Sequence, residues 1–183
     1  MTKNKSIFSS GSYQTVGNVL AAKDRRANFQ DRLLKNDDSL TMICAKMNIP
    51  GPIKNNSMIK KMFGLACENF EKNYLAGIEI KNSFVWDYPS GPEKFYLIDE
   101  DPFSLKKIAL AFEDSSSLGR LCDFDVLFYE NDGKETISRQ QMNVPPRRCF
   151  LCDDPAKNCA RSRRHKVSEL QAKIDQIFLE LFK

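Results

Sequence analysis

Residues 115–129 read Ser-Ser-Ser-Leu-Gly-Arg-Leu-Cys-Asp-Phe-Asp-Val-Leu-Phe-Tyr. After Gly119 the stretch alternates with period two, the pattern of a β-strand. Cys122, Phe124, Val126 and Phe128 fall on one face, and Leu121, Asp123, Asp125, Leu127 and Tyr129 on the other. Two carboxylates then stand side by side, roughly 7 Å apart from the strand rise. Like charges at that spacing repel unless a cation sits between them or both point into water. A solvated face is the ordinary outcome for an Asp-x-Asp. Here Leu121, Leu127 and Tyr129 share the aspartate face, and the preceding turn is rich in hydroxyls and backbone donors. A half-buried carboxylate pair beside such a turn suits phosphoryl or nucleotidyl transfer with a divalent metal.

Working outward, the strand is reached from a helix that starts at Asp101-Pro102, an N-cap acid followed by proline at the first helical position. Leu105, Ile108, Ala109 and Phe112 are its inner stripe. The strand leaves through Glu130-Asn-Asp-Gly-Lys134, a hairpin signal, and returns through Thr136 and Ile137, with Glu135 as a candidate third carboxylate. Residues 40–49, 78–86 and 95–98 read as further strands. A helix over 16–34 would turn Val16, Val19, Leu20, Ala27, Leu33 and Leu34 inward and leave Lys23, Arg25, Arg26 and Arg32 solvated. Ser57 is expected to cap a helix whose buried face is Ile59, Met62, Phe63, Ala66, Phe70 and Tyr74. Ser168 begins a last helix, with Gln171 completing a capping box. Residues 50–52 and 87–93 read as proline-glycine loops; the first is either a plain turn or a stiff lip that aims Lys54 into a pocket. The expected fold is α+β, one domain with a mixed or antiparallel sheet flanked by helices. Residues 1–12 are expected to be a loosely ordered N-terminus, and 13–183 one catalytic domain.

The net charge of +4 is a mild bias towards anionic partners and no nucleic-acid signal by itself. No apolar run approaches the ~20 residues that span a bilayer, and residues 1–12 lack the apolar core of a signal peptide. The expectation is a cytoplasmic protein with no membrane partner, whose six cysteines are thiols or metal ligands.

Residues 145–166 concentrate cysteine and arginine. Cys149, Cys152, Cys159 and His165 complete the inventory of a tetrahedral Cys3His zinc site, against the alternative of ordinary thiols in a loop. Such a zinc would be structural, since four protein ligands leave no open position. Around them stand Arg147, Arg148, Lys157, Arg161, Arg163, Arg164 and Lys166. Guanidinium clusters pair well with anionic oxygens. The alternatives are a solvated basic surface or a single-strand RNA contact. RNA recognition by stacking needs exposed aromatics, of which only Phe150 is present, so no nucleic acid is expected.

Four motifs in register carry a resemblance: residues 48–54 (Asn-Ile-Pro-Gly-Pro-Ile-Lys), 89–93 (Pro-Ser-Gly-Pro-Glu), 118–126 (Leu-Gly-Arg-Leu-Cys-Asp-Phe-Asp-Val), and 145–149 with 159–165. Over about residues 17–183 the chain resembles the citrate lyase holo-acyl-carrier-protein synthases, also called apo-citrate lyase phosphoribosyl-dephospho-CoA transferases. Members usually carry His-Pro where this chain has Ser116-Ser117. The resemblance implies a nucleotidyltransferase-like domain. In its reaction a serine of the apo acyl carrier protein subunit of citrate lyase attacks the α-phosphorus of triphosphoribosyl-dephospho-CoA, and pyrophosphate leaves. It implies Mg²⁺ on Asp123 and Asp125, with Arg120 beside them in catalysis. Lys54, Gly119, Arg147, Arg148, Arg161, Arg163 and Arg164 are the expected substrate-binding residues. The alternatives are the same transfer onto the malonate decarboxylase carrier, or a zinc-knuckle binding module without catalysis.

Overall fold

The computed structural model describes residues 5–131 and 133–183. Its strands are β1 (Thr41–Met47), β2 (Ile80–Tyr88), β3 (Gly91–Ile98), β4 (Cys122–Glu130) and β5 (Gly133–Thr136). They form one antiparallel sheet in the order β2-β3-β1-β4-β5. The helices are α1 (Val16–Asn36), α2 (Ser57–Asn73), α3 (Pro102–Ser115), α4 (Ser117–Leu121), α5 (Ala156–Ser162) and α6 (Val167–Leu181). The fold is therefore α+β, as the patterning predicts, and the sheet is purely antiparallel. No described helix is long and apolar enough to cross a membrane.

From Cys122 on, the period of two divides β4 as expected; Leu121, expected on the aspartate face, instead ends α4 and is buried in the main core. Cys122, Phe124 and Val126 join the main core, with Ile43 and Ala45 of β1 and Tyr96 and Ile98 of β3. Over them lie Ile59, Met62, Phe63, Ala66 and Phe70 of α2, Leu105, Ala109 and Phe112 of α3, and Ile174 and Ile177 of α6. Phe124 is the centre: its ring meets Phe70 edge-on at 4.7 Å and stacks on Phe112 at 5.0 Å. On the opposite face Met42, Cys44, Phe95, Leu97 and Leu127 pack under Leu34 of α1, flanked by Phe29 and Leu33.

Several local expectations are corrected. Val16, Val19 and Leu20 do not face the core: all three are exposed, Val16 by 77%, and Ala22 is the buried residue of that part of α1. Arg26 is not solvated but half-buried against Glu93, whereas Arg25 is exposed as expected, its guanidinium 4.0 Å from the centre of the Tyr88 ring. Asn56, not Ser57, caps α2, because its amide oxygen accepts from the Met58 and Ile59 N–H groups, both at 3.0 Å. At α6, Glu169 rather than Gln171 reaches back, to the Lys166 N–H at 2.7 Å. Gln171 instead donates to the Pro50 carbonyl. The loop expected over 87–93 is a tight hairpin, with Tyr88 paired to Gly91, which has φ +128°. Within the stretch expected to be a loosely ordered N-terminus, residues 1–12, a 3₁₀ turn (Ile7–Ser9) buries Ile7, whose N–H donates to Asp175 at 2.9 Å. Residues 1–4 lie outside the described residues.

The hydroxyl-rich stretch before β4 is a short helix, α4, rather than a turn. Ser116 Oγ accepts from the Gly119 N–H at 3.0 Å, and Gly119 is buried against α3. A Cβ on Gly119 would stand 2.1 Å from the Phe112 carbonyl oxygen. Gly119→Ala is thus expected to force α3 and α4 apart and to destabilise the protein by about 1–3 kcal/mol. The measurement is the urea midpoint at unchanged m-value. A wild-type midpoint would refute the close approach.

Candidate active site

The aspartates of β4 share a sheet face with the polar ends of β1 and β3. In the β1–β4 register Lys46 stands opposite Asp123 and Cys44 opposite Asp125, and on the other side of β1 Lys46 stands opposite Glu93. Cross-strand partners share a face. A charged row therefore crosses three strands, from Glu93 through Lys46 to Asp123. The Lys46 ammonium lies 2.8 Å from Asp123 Oδ2 and also ion-pairs with Asp125. Both carboxylates thus converge on one cation, which removes the repulsion expected of the pair. Arg26 Nη1 sits 2.6 Å from Glu93 Oε1, while Glu93 Oε2 is buried without a hydrogen-bond partner among the described residues.

A second cluster borders the outer edge of β4. Glu113, 2% exposed at the end of α3, accepts the Phe124 N–H at 2.7 Å. Its other oxygen meets Arg139 and Arg147, each at 2.8 Å. Arg147 also donates to the Cys122 carbonyl at 2.9 Å and reaches Asp123 Oδ1 at 3.4 Å. Buried Lys106 donates to the Phe124 carbonyl at 3.2 Å. The two clusters join at Asp123.

These contacts shift the titrations. Burial alone would raise the Asp123 carboxyl, but Lys46 first, then Arg147 and Lys106, outweigh it and hold it below the ordinary carboxylate range. Burial would lower the Lys46 ammonium, but Asp125 and Asp123 hold it above its usual value. Lys106 goes the other way, because burial outweighs Glu113 and the aspartates. Cys44, next to Asp125 across the strands, is pushed up to about 12 by burial, so it is a neutral thiol rather than a nucleophile.

Of the cations named from the sequence, Arg147 is the one brought to the carboxylates. Arg120 turns to the cysteine segment, where it donates to the Cys149 carbonyl at 2.9 Å and the Arg148 carbonyl at 3.3 Å. Lys54 donates to the Ile49 carbonyl at 2.6 Å, folding its loop on itself, and burial lowers its ammonium. Arg148 lies near Asp153 and Arg164 pairs with Asp154. Arg161 and Arg163 are exposed at the end of α5. Glu135 pairs with Phe128, which places it on the face opposite the aspartates and removes it as a third carboxylate. Cys149, Cys152, Cys159 and His165 do come together, all ligand atoms lying within 4.8 Å of one another, a cluster that can hold a metal such as zinc. Sequence reasoning missed Lys46, Lys106, Glu113 and Arg139. Glu113 left a signal: it follows Ala109 by four residues and so lies on the inner stripe of α3.

A surface cavity of about 470 Å³ lies at the other end of β1 and β4, lined by Thr41, Asp99, Glu100, Asp101 and Tyr129 among others. Its acidic lining is the wrong sign for a polyphosphate. The cationic end of the sheet is the better candidate.

Comparison with known proteins agrees in direction. The family described as apo-citrate lyase phosphoribosyl-dephospho-CoA transferase matches residues 14–181. A probable apo-citrate lyase phosphoribosyl-dephospho-CoA transferase of Streptococcus pyogenes is 34% identical over 179 residues, 97% of this chain and 92% of the relative. The Escherichia coli enzyme of that name is 29% identical over 171 residues, 93% of this chain and 91% of its own. A longer relative from Leuconostoc mesenteroides, Protein CitXG, is 28% identical over 170 residues, 93% of this chain but 36% of that protein.

The ion pairs at the carboxylates predict a pH dependence. A depressed Asp123 contributes stability that is present above the unfolded carboxylate value of about 3.9 and lost as pH falls through the folded value. A raised Lys46 contributes stability present below about 10.4 and lost as pH rises through its folded value. The melting-temperature difference between wild type and Lys46→Met should hold steady from about pH 6 to 9 and shrink beyond both limits. A difference independent of pH would contradict the coupling.

Proposed function

The chain belongs to the apo-citrate lyase phosphoribosyl-dephospho-CoA transferase family, and from that premise we propose that it attaches the phosphoribosyl-dephospho-CoA group to a serine of the apo acyl carrier subunit of citrate lyase. The donor is triphosphoribosyl-dephospho-CoA. The serine oxygen bonds to its α-phosphorus, the bond to the bridging oxygen breaks, pyrophosphate leaves with that electron pair, and the serine proton passes to water. The observation that carries this reading is the convergence of Asp123 and Asp125 on one cation, with Arg147 at their border.

Hard carboxylate oxygens that gather around a single ammonium suit Mg²⁺, and Asp123 and Asp125 would hold it. Magnesium supplies Lewis-acid charge for the phosphate oxygens. The chain's own residues do the rest. With its carboxylates engaged elsewhere, Lys46 is free to turn its ammonium to a phosphate oxygen. Arg147, already held by the Cys122 carbonyl and Glu113, presents a fixed guanidinium to the departing pyrophosphate. Arg148, Arg161, Arg163 and Arg164 would extend this positive surface through the cysteine segment, to which Arg120 is hydrogen-bonded; Lys54, bound to its own loop, and buried Gly119 would act only by shaping the backbone. The Cys3His cluster takes zinc as a closed structural site. The setting is the cytoplasm, where its thiols stay reduced.

Asp125→Asn keeps size and hydrogen bonding but removes charge. It should slow pyrophosphate release with apo carrier and donor by about a hundredfold or more, as loss of several kcal/mol of charge stabilisation requires. Circular dichroism checks that the fold is retained. Near-normal turnover in a folded Asp123→Asn/Asp125→Asn protein would sink the reading.

A further inference from the structure

The cysteine segment has little of its own to hold it in shape. Between residues 145 and 166 only Cys149 and Cys159 are buried, while Phe150 is partly buried against the main core. A bridge between Arg148 and Pro155 closes the first loop, with the Cys149 N–H donating to the Asp154 carbonyl at 2.9 Å and the Ala156 N–H to the Arg147 carbonyl at 2.8 Å. Then α5 returns the chain, and Arg163, in the left-handed conformation at φ 51°, turns it towards His165. Polar loops of this length need a staple when they cannot bury apolar surface.

The staple's geometry is present. Cys152 Sγ lies 3.4 Å from Cys159 Sγ and 3.2 Å from His165 Nε2. A tetrahedral zinc with bonds of about 2.3 Å to sulfur and 2.0–2.1 Å to nitrogen requires ligand-to-ligand distances of roughly 3.4–3.8 Å. Those two distances are within a few tenths of an ångström of that, and all four ligand atoms lie within 4.8 Å of one another, so only a small contraction of the remaining pairs closes the site. A disulfide would need about 2.0 Å between the sulfurs and would leave a third thiol and the imidazole without purpose.

The segment is wired at its start to the carboxylate strand, to α3 and to α4. Arg147, two residues before the first ligand, reaches Cys122, Glu113 and Asp123. Arg120, from α4, donates to the carbonyl of Cys149, a ligand itself. Fixing the Cys149 position therefore fixes where Arg147 can point.

We infer that Cys149, Cys152, Cys159 and His165 bind one Zn²⁺, and that this zinc clamps Arg147 against Asp123; the consequence for polyphosphate binding rests on the transferase reading above. Zinc loss frees the 147–165 segment, and Arg147 leaves the wall of the site with it.

The test begins with elemental analysis of protein purified without chelators, expected to give about one zinc per chain. Cobalt substitution should add the visible absorption of a tetrahedral thiolate site, lost in Cys152→Ser. Protein that holds no zinc and takes none up from zinc chloride overturns the site. Because Cys152→Ser can fail to fold, the clamp is tested on wild type by chelation and re-addition of zinc. Hydrogen exchange should rise across 145–165 when zinc is removed and recover when it returns; unchanged exchange in the zinc-free protein overturns the clamp. Inorganic pyrophosphate with magnesium is the probe for the site. Its affinity should fall about ten- to a hundredfold on zinc removal, the range for a lost bond to a charged group, but not fall further in Arg147→Ala. Exchange that responds to zinc while pyrophosphate affinity does not would support the clamp and count against the transferase placement of Arg147.

Discussion

The constraint on which the structure depends is the open outer edge of β4. Strand β5 is four residues long and pairs only with the end of β4, from Leu127 to Glu130. The outward-facing backbone groups at Cys122 and Phe124 have no neighbouring strand, and buried backbone groups left unpaired are costly. Side chains take the place of the missing strand. Glu113 accepts from the Phe124 N–H, Lys106 donates to the Phe124 carbonyl, and Arg147 donates to the Cys122 carbonyl. A backbone vacancy has thus become a cluster of charges. Because Glu113 is buried, it in turn requires Arg139 and Arg147 as partners. The cation beside Asp123 follows from completing the edge of a sheet.

The same logic explains how a charged row survives inside the opposite face. Glu93, Lys46 and Asp123 alternate in sign across β3, β1 and β4, with Arg26 at one end and Arg147 at the other. Each buried charge has an opposite neighbour, which is the condition under which burial is tolerated. The arrangement also holds the Asp123 carboxyl in its ionised form in spite of its partial burial. A carboxylate that stays charged at neutral pH is what a cation-binding site requires.

What the sequence made legible was what is local and periodic. The alternation from Cys122 to Tyr129 placed both aspartates on one face because side-chain direction in a strand depends only on parity. Asp101-Pro102 marked the start of α3 because both residues act within one turn. What stayed hidden was non-local. Helical spacing showed that Val16, Val19 and Leu20 share a face, but spacing does not say whether anything packs on it, and all three are exposed. Lys46 looks like one polar residue in a strand until β4 is laid beside β1. Ser57 and Asn56 are both good caps, and the choice fell to Asn56, whose side-chain amide also donates to the Ile7 and Ser10 carbonyls. The Cys3His cluster lay between these cases: its residues were legible, their convergence only in three dimensions.

One sheet face supplies both a core and the candidate site, because α1 can cover only part of it. Where Leu33 and Leu34 of the helix cross the sheet, Met42, Leu97 and Leu127 lie beneath them and the face is dry. Two turns earlier along α1, Arg26 takes the position that an apolar residue would hold, and the strands below answer with Glu93 and Lys46. Towards its start the helix still buries Ala22, but Val16, Val19 and Leu20 stand in solvent. The passage from dry to ionic therefore runs along the strands, with Leu127 at one end of β4 and Asp123 at the other. The carboxylates share a strand with packed Leu127, yet their side chains are partly exposed, so a site there can be both preorganised and reachable.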